Sequence, residues 1–502
     1  MRSTVINTSK EMMAFSDFPP PREYPNYMHN TDVLNYLRLY AEHFKLLPHI
    51  RFNTSVSIIR KAPDYDSTGK WDISLILPGA LEATTETFDG VLLCTGHHAQ
   101  RYMGQVNGLE KFEGIVMHSH SYKEPSGFED KTVVCVGMGN SGGDISVELS
   151  RTADKVYLVS RRGSWVLNRV GEFGIPSDML MNSQLLNWFV QKLPRQVNHF
   201  MQARMDNRFN HKFYGLKPKH NFLQQHPFVN DDLPNRILTG KLVVKPDIAE
   251  VGPRWVKFVD GTLIRDIDII IMCTGYSFGF LYLQDGIIPV KENKVDLYQN
   301  MYPPDLPHRT LAVIGCVQPL GAIMPICEMQ CRVYTAALLG KIQLPSSEDM
   351  QKHIKKKQTS MQKRYVASRR HTIQVDFVPY MNELAALIGA KPKVFRFLFT
   401  DPMLGLELLV GPTLPYQYRL NGPDTWPEAR DTIRDVWNRV EAPTAKPLAV
   451  GKKPPGPKST IAFYGGLYVF SNWPYLIVFF LGIAIYLIPI IAITVAITRS
   501  YC

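Results

Sequence analysis

Short apolar runs, separated by polar and glycine-rich turns, set the rhythm of the chain. TVVCV, residues 132–136, is an apolar run of strand length. Residues 140–151 read as a helix, and KVYLVS, 155–160, is the next strand run. Strand, helix, strand in this order predicts a βαβ unit and a parallel sheet. VLLCTGHH, 91–98, and IIIMCTGYSF, 269–278, are two further apolar runs, and each stops at Thr-Gly. TLAVIGC, 310–316, is another strand, followed by a turn and helix over 317–340. The fold class expected is α/β.

Glycines sit at the first turn of the βαβ unit: Gly137-x-Gly139-x-x-Gly142. Gly137 allows the tight turn, Gly139 lets backbone approach a pyrophosphate, and Gly142 lets helix and strand pack closely. The helix N-terminus then points free N–H groups at the phosphates. The next strand ends in Ser160-Arg161-Arg162, where NAD sites usually carry an acidic side chain. Two guanidiniums suit a 2′-phosphate, which arginine grips bidentately, so the expected coenzyme is NADPH. A pair of solvated surface arginines is the alternative.

The two Thr-Gly ends bracket this unit, which suggests two Rossmann-like dinucleotide-binding domains, one inserted in the other. The expected divisions are 1–125 and 277–441 for an outer α/β domain and 126–276 for an inserted NADPH domain. A basic, Pro-rich linker over 442–466 and a membrane anchor over 467–502 follow.

Composition narrows the function class. The length of 502 residues suits two or more domains, and the net charge of +11 suits an anionic cofactor or surface. The basic residues are scattered without interleaved aromatics, so nucleic-acid binding is not expected. None of the seven cysteines forms a CxxC pair, which argues against a disulfide reductase. Cys94, Cys135 and Cys273 lie in apolar runs and read as buried. From Trp473 to Thr498 no residue is charged. A bilayer needs about 20 apolar residues, so this tail is long enough to enter one. Lys452, Lys453 and Lys458 place its flank, and the body of the protein, on the cytosolic side.

FEGIVMHSHSY, 112–122, fits the Phe-x-Gly-x-x-x-His-x-x-x-Tyr/Trp fingerprint of class B flavoprotein monooxygenases. With GMGNSGGD, SRRGSW, YGLKPKH, NDDLPNRI and CTGYSF, the chain resembles the vertebrate flavin-containing monooxygenases over nearly its whole length. QPLGAIMPI, KRYVASRRHTIQ and FTDPMLGLELLVGP resemble the isoform-5 branch. The resemblance implies FAD and NADPH as cofactors and a C4a-(hydro)peroxyflavin as oxidant. It implies small lipophilic amines, sulfides or ketones as substrates, O2 as co-substrate, and residence in the endoplasmic reticulum membrane. It places Asn7 at the flavin edge in a catalytic role, with Thr8 beside it. It assigns Asn140, Ser141, Gly142, Gly143 and Asp144 to the NADP-binding turn, and Gln318 to the cofactor. His118 is implied to organise the linker rather than act as a base.

Proteins of this family begin with a further strand–GxGxxG–helix unit for the FAD pyrophosphate, and this sequence opens about where that unit ends. Without that central strand its neighbours are expected to lose ladder partners and leave an apolar slot. The readings that stay open are an active monooxygenase whose sequence continues upstream and a flavin-poor, non-catalytic, membrane-tethered NADP(H)-binding short form.

Overall fold

A computed structural model describes residues 1–366, 368–369 and 372–444. Its largest sheet has five parallel strands, in the order Leu242–Lys245, Lys155–Val159, Thr132–Val136, Ile269–Met272 and Ile115–His118. The continuous apolar run of the central strand now has its reason. Val133 and Cys135 point to one core, with Ile145 and Leu149 of the helix Asn140–Leu149. Val134 and Val136 point to a second core, under the antiparallel strands Ile248–Val251, Trp255–Phe258 and Leu263–Arg265. Both faces are covered, as a parallel strand requires. The helix stops at Leu149, short of the expected 151, and Ser150 closes it with its amide bonded to the Ser146 carbonyl.

A second parallel ladder joins Val91–Leu93 to Leu311–Val313. The chain leaves this ladder after Leu93, builds the five-stranded sheet, and returns to it. The outgoing and returning connections pair with each other, Gln100–Arg101 against Tyr276–Ser277. His118 fixes the crossing: its Nε2 lies 3.0 Å from the Gly275 carbonyl, and its Nδ1 accepts the His120 amide. The fingerprint histidine is 2% exposed, and burial, first among the causes, holds its imidazolium below the usual range. Gly114 is required nearby, because a Cβ there would stand 2.4 Å from the Asp268 carbonyl. Tyr122 ends the motif with its hydroxyl 2.6 Å from Glu148, on the glycine-turn helix.

The ladder Val91–Leu93/Leu311–Val313 has two strands among the described residues. Apolar side chains earlier in the chain are open to water, including Leu34 and Leu37 on the helix Asn30–His43, Leu47 and Phe52. Cys94 is exposed rather than buried, because the strand ends at Leu93 and releases the next residue into the connection. Cys135 and Cys273 are buried as expected. Among the described residues no helix is long and apolar enough to cross a membrane. The apolar run 473–498 and the linker from 445 onward lie outside the described residues.

His97, in the connection after Cys94, carries a pH signal. Burial, then neighbouring His98, lowers its pKa from 6.5 to about 4, and its Nδ1 is buried without a partner. Between those two values the unfolded chain binds a proton that the folded chain refuses. Stability is therefore fully present above 6.5 and falls as the pH drops towards 4. His97→Gln is expected to flatten the fall in melting temperature across that window. An unchanged slope would show that His97 does not contribute.

Candidate functional site

The glycine turn lies at the carboxyl ends of the parallel strands, where open α/β sheets place their ligands. Gly137 has φ +112°, and a Cβ on it would sit 2.7 Å from the Cys273 carbonyl. A Cβ on Gly142 would stand 1.9 Å from the Gly137 carbonyl, so turn and helix approach closer than any side chain allows. Gly139 precedes the helix in extended backbone, and no side chain caps the helix N-terminus. Its first-turn N–H groups, an electropositive end, remain open to an anion. Ser141 is exposed beside them.

Three neighbours have inward tasks. A Cβ on Gly143 would fall 2.0 Å from the ring of Phe228, so this glycine packs the helix against the strand Phe228–Val229. Asn140 Oδ1 accepts the Val229 amide at 3.0 Å. Asp144 Oδ1 accepts Asn230 Nδ2 at 2.8 Å, and burial raises its pKa. The side chains of Asn140 and Asp144 thus brace segment 228–230 and do not face an open turn.

The Gly137 amide donates to the Val159 carbonyl at 3.1 Å, which sets the end of the next strand beside the turn. There Ser160 donates its amide to Lys245 and accepts the Gly163 amide on Oγ at 3.1 Å. Gly163 has φ +71°, and a Cβ on it would meet the Leu216 carbonyl at 2.3 Å. This tight turn throws Arg161 and Arg162 outward, both exposed. Arg161 has no ion-pair partner among the described residues. Arg162 lies near His220, whose pKa is lowered first by burial and then by that guanidinium.

Asn7 stands at the other end of a polar chain that sequence reading missed. Arg169 donates Nη2 to Asn7 Oδ1 at 2.6 Å and Nε to the Ile6 carbonyl at 3.3 Å. Its Nη1 reaches Asp231 Oδ2 at 3.3 Å, and its amide donates to Asp231 Oδ1. Asp231 follows Asn230, the partner of Asp144. A continuous path therefore runs from the glycine-turn helix through the NDD segment and Arg169 to Asn7. Arg169 can only donate, so it fixes the amide with its oxygen inward, and Nδ2 makes no hydrogen bond among the described residues. Thr8 also has no hydrogen-bond partner among the described residues. Ser9 completes the anchorage, giving its amide and hydroxyl to the half-buried Asp178 at 2.7 and 2.9 Å. NDDLPNRI was visible as a motif, but nothing in the sequence pairs Asp231 with Arg169.

Gln318 lies elsewhere, on the strand Gln318–Leu320 beside Gln374–Asp376. Its amide donates to the Ile373 carbonyl at 2.8 Å. Gly321 follows with φ +142°, and then the helix Met324–Leu338, whose N-terminus has no side-chain cap. No hydrogen bond joins Gln318 to Asn7 or to the glycine turn among the described residues.

The family model for flavin-binding monooxygenase-like proteins matches residues 1–484. Flavin-containing monooxygenase 5 of Mus musculus is 48% identical over 446 residues, 88% of this chain and 83% of that protein. Dimethylaniline monooxygenase [N-oxide-forming] 2 of Rattus norvegicus is 42% identical over 444 residues, again 88% and 83%. Among solved structures, S-allyl-L-cysteine S-oxygenase from Allium sativum aligns with TM-score 0.59 at 21% identity, covering 88% of this chain and 84% of that one. Cyclohexanone monooxygenase from Rhodococcus sp. Phi1, bound to NADP+, aligns with TM-score 0.55 at 14% identity, covering 77% and 88%. At these identities the two structures speak for the fold alone. A flavin is the cofactor that follows from the family, and a non-catalytic binding protein is not favoured. An α/β fold with a Rossmann-like sheet, matched along almost all of its length, makes this chain a member of the flavin-binding monooxygenase family and an enzyme.

Proposed function

We propose that this enzyme spends NADPH and O2 to place one oxygen atom on a small lipophilic amine, sulfide or ketone, at the cytosolic face of the endoplasmic reticulum membrane. The balance is substrate, O2, NADPH and a proton giving oxygenated substrate, NADP+ and water. The flavin, when bound, supplies the electron relay from NADPH to O2. The residues present fit the coenzyme, because the cradle at Gly137 and Gly142 has room for backbone-to-phosphate contact and none for a Cβ. They fit the ring end of the flavin, because Asn7 holds out a donor whose other half is clamped.

Each residue has a defined task in this reading. The open N–H groups of the helix Asn140–Leu149 receive the NADPH diphosphate, with Ser141 at their edge. Arg161 and Arg162 hold the 2′-phosphate, and Ser160 shapes their turn. Asn7 Nδ2 donates to the cofactor edge, with Thr8 beside it, while Arg169 positions Asn7. Gln318 lines the flavin side. No side chain is asked to shuttle protons in bulk; the cofactor carries the hard chemistry and the protein binds, orients and excludes water.

The observation that carries the proposal is the Arg169 clamp, which converts an ordinary asparagine into an oriented donor coupled to the coenzyme helix. Support for the substrate classes comes from named relatives: an N-oxide-forming dimethylaniline monooxygenase, an S-oxygenase and a cyclohexanone monooxygenase. Support for the membrane site is the uncharged run 473–498 behind a basic linker.

The test is oxygen transfer by the full chain, supplied with FAD, to a tertiary amine, a thioether and a cyclic ketone under 18O2. The expected result is labelled N-oxide, S-oxide or ester formed with NADPH consumption. NADPH consumption with no labelled product from any of the three would contradict the proposal. Arg161→Ala should weaken NADPH binding by about 10-fold or more, the scale of a charge-assisted contact, and leave NADH binding unchanged. Equal losses for the two coenzymes would remove Arg161 from the 2′-phosphate.

A further inference from the structure

The short helix Val394–Thr400, VFRFLFT, faces two ways. Phe397 packs against the main core, while Phe395 and Phe399 stand 78% and 88% exposed. These two are four residues apart and so share a face. Met403, opening the helix Pro402–Val410, adds a side chain 48% exposed. Lys391, Lys393 and Arg396 are exposed around them, and none has an ion-pair partner among the described residues. Single exposed apolar residues are ordinary. Two protruding phenylalanines and a methionine, ringed by cations of one sign, make the pattern of an interfacial membrane contact.

The position of this patch in the fold favours a bilayer over a protein partner. Asp401 joins its two helices, and Arg434 donates to Asp401 Oδ1 at 2.8 Å, with Arg430 beside it. Those arginines belong to Ala429–Arg434, followed at once by Val436–Glu441 and by Thr444, where the described chain ends. The patch and the last described residues ahead of the basic linker therefore belong to one cluster of helices. We propose that the segment Lys391–Met403 is a second membrane contact, its phenylalanines entering the headgroup boundary and its cations meeting anionic lipid. The proposal rests on the membrane reading of the tail, and the function of the second contact is to fix the orientation of the body on the bilayer.

Hydrogen exchange of the full chain in vesicles tests it. The chain is reconstituted into phosphatidylcholine vesicles with or without phosphatidylserine, and compared with the same chain in neutral detergent. The expected result is slowed exchange over 391–403 in vesicles, strongest with phosphatidylserine. The triple variant Lys391→Glu, Lys393→Glu, Arg396→Glu should lose the phosphatidylserine gain, roughly fivefold per cation. Phe395→Ser with Phe399→Ser should lose protection in both lipids, with melting temperature and NADP+ affinity at wild-type values. Equal exchange in vesicles and detergent, from protein that stays vesicle-bound after a salt wash, would overturn the second contact and leave the tail reading standing. Failure to float with vesicles at all would overturn both. Protection that follows protein concentration instead of lipid would assign the patch to a second copy and also overturn the proposal.

Discussion

Gly142→Ala is expected to abolish nicotinamide-coenzyme binding and to destabilise the fold by about 3 kcal/mol, the upper range for forcing a methyl into a packed site. The new Cβ would stand 1.9 Å from the Gly137 carbonyl, and 3.1 Å from Cys273 Cβ behind it. Neither is the far end of a flexible side chain. Relief requires the turn to open, and the turn is the proposed phosphate cradle. Thermal unfolding and an NADP+ titration measure the two losses separately. Gly143→Ala makes a useful contrast, because its clash is with the Phe228 ring, a side chain on the packing face. It should lower the melting temperature while leaving more of the coenzyme affinity. Wild-type NADP+ affinity in the Gly142 variant would mean that the cradle tolerates an open turn and is not the binding site.

Arg169→Met should have the second large effect, and its mark is on coupling rather than on coenzyme binding. The change removes the donors to Asn7 Oδ1 and to the Ile6 carbonyl, and the guanidinium beside Asp231 Oδ2. A cost of about 2 kcal/mol follows from hydrogen bonds to a charged group. Asn7 then has no reason to keep its amide nitrogen outward. The enzyme should still consume NADPH, with a lower yield of oxygenated product per NADPH. Arg169→Lys should recover little, since an ammonium cannot span both acceptors and Asp231 in one plane. A product yield equal to wild type in Arg169→Met would separate Asn7 orientation from oxygen transfer.

The nucleotide half of the site was legible because its determinants are local. Val133 through Gly142 specify strand, turn and helix within one stretch, and the period of the apolar residues tells which faces are buried. Arg161 and Arg162 follow at a spacing that the fold dictates. The half proposed to meet the flavin was less legible because its contacts are distant in sequence. Asn7 meets Arg169 across 162 residues, and Asp178 meets Ser9 across 169. No local pattern encodes such pairs. The same limit explains Asn140 and Asp144, which stand in the motif but spend their side chains on Val229 and Asn230. Cys94 was misplaced because an apolar run does not say where its strand stops. The family resemblance supplied the role proposed for Asn7, and the structure supplied the arginine that holds its amide oxygen.

Calorimetric titration of the full chain with NADP+ and with NAD+ tests the central claim most directly. A backbone cradle at Gly137–Gly142, backed by an exposed Arg161 with no ion-pair partner among the described residues, predicts uptake of NADP+ with about 100-fold preference over NAD+, the scale of charge-assisted contacts to one phosphate. Folded protein that takes up neither coenzyme, or both equally, would contradict it.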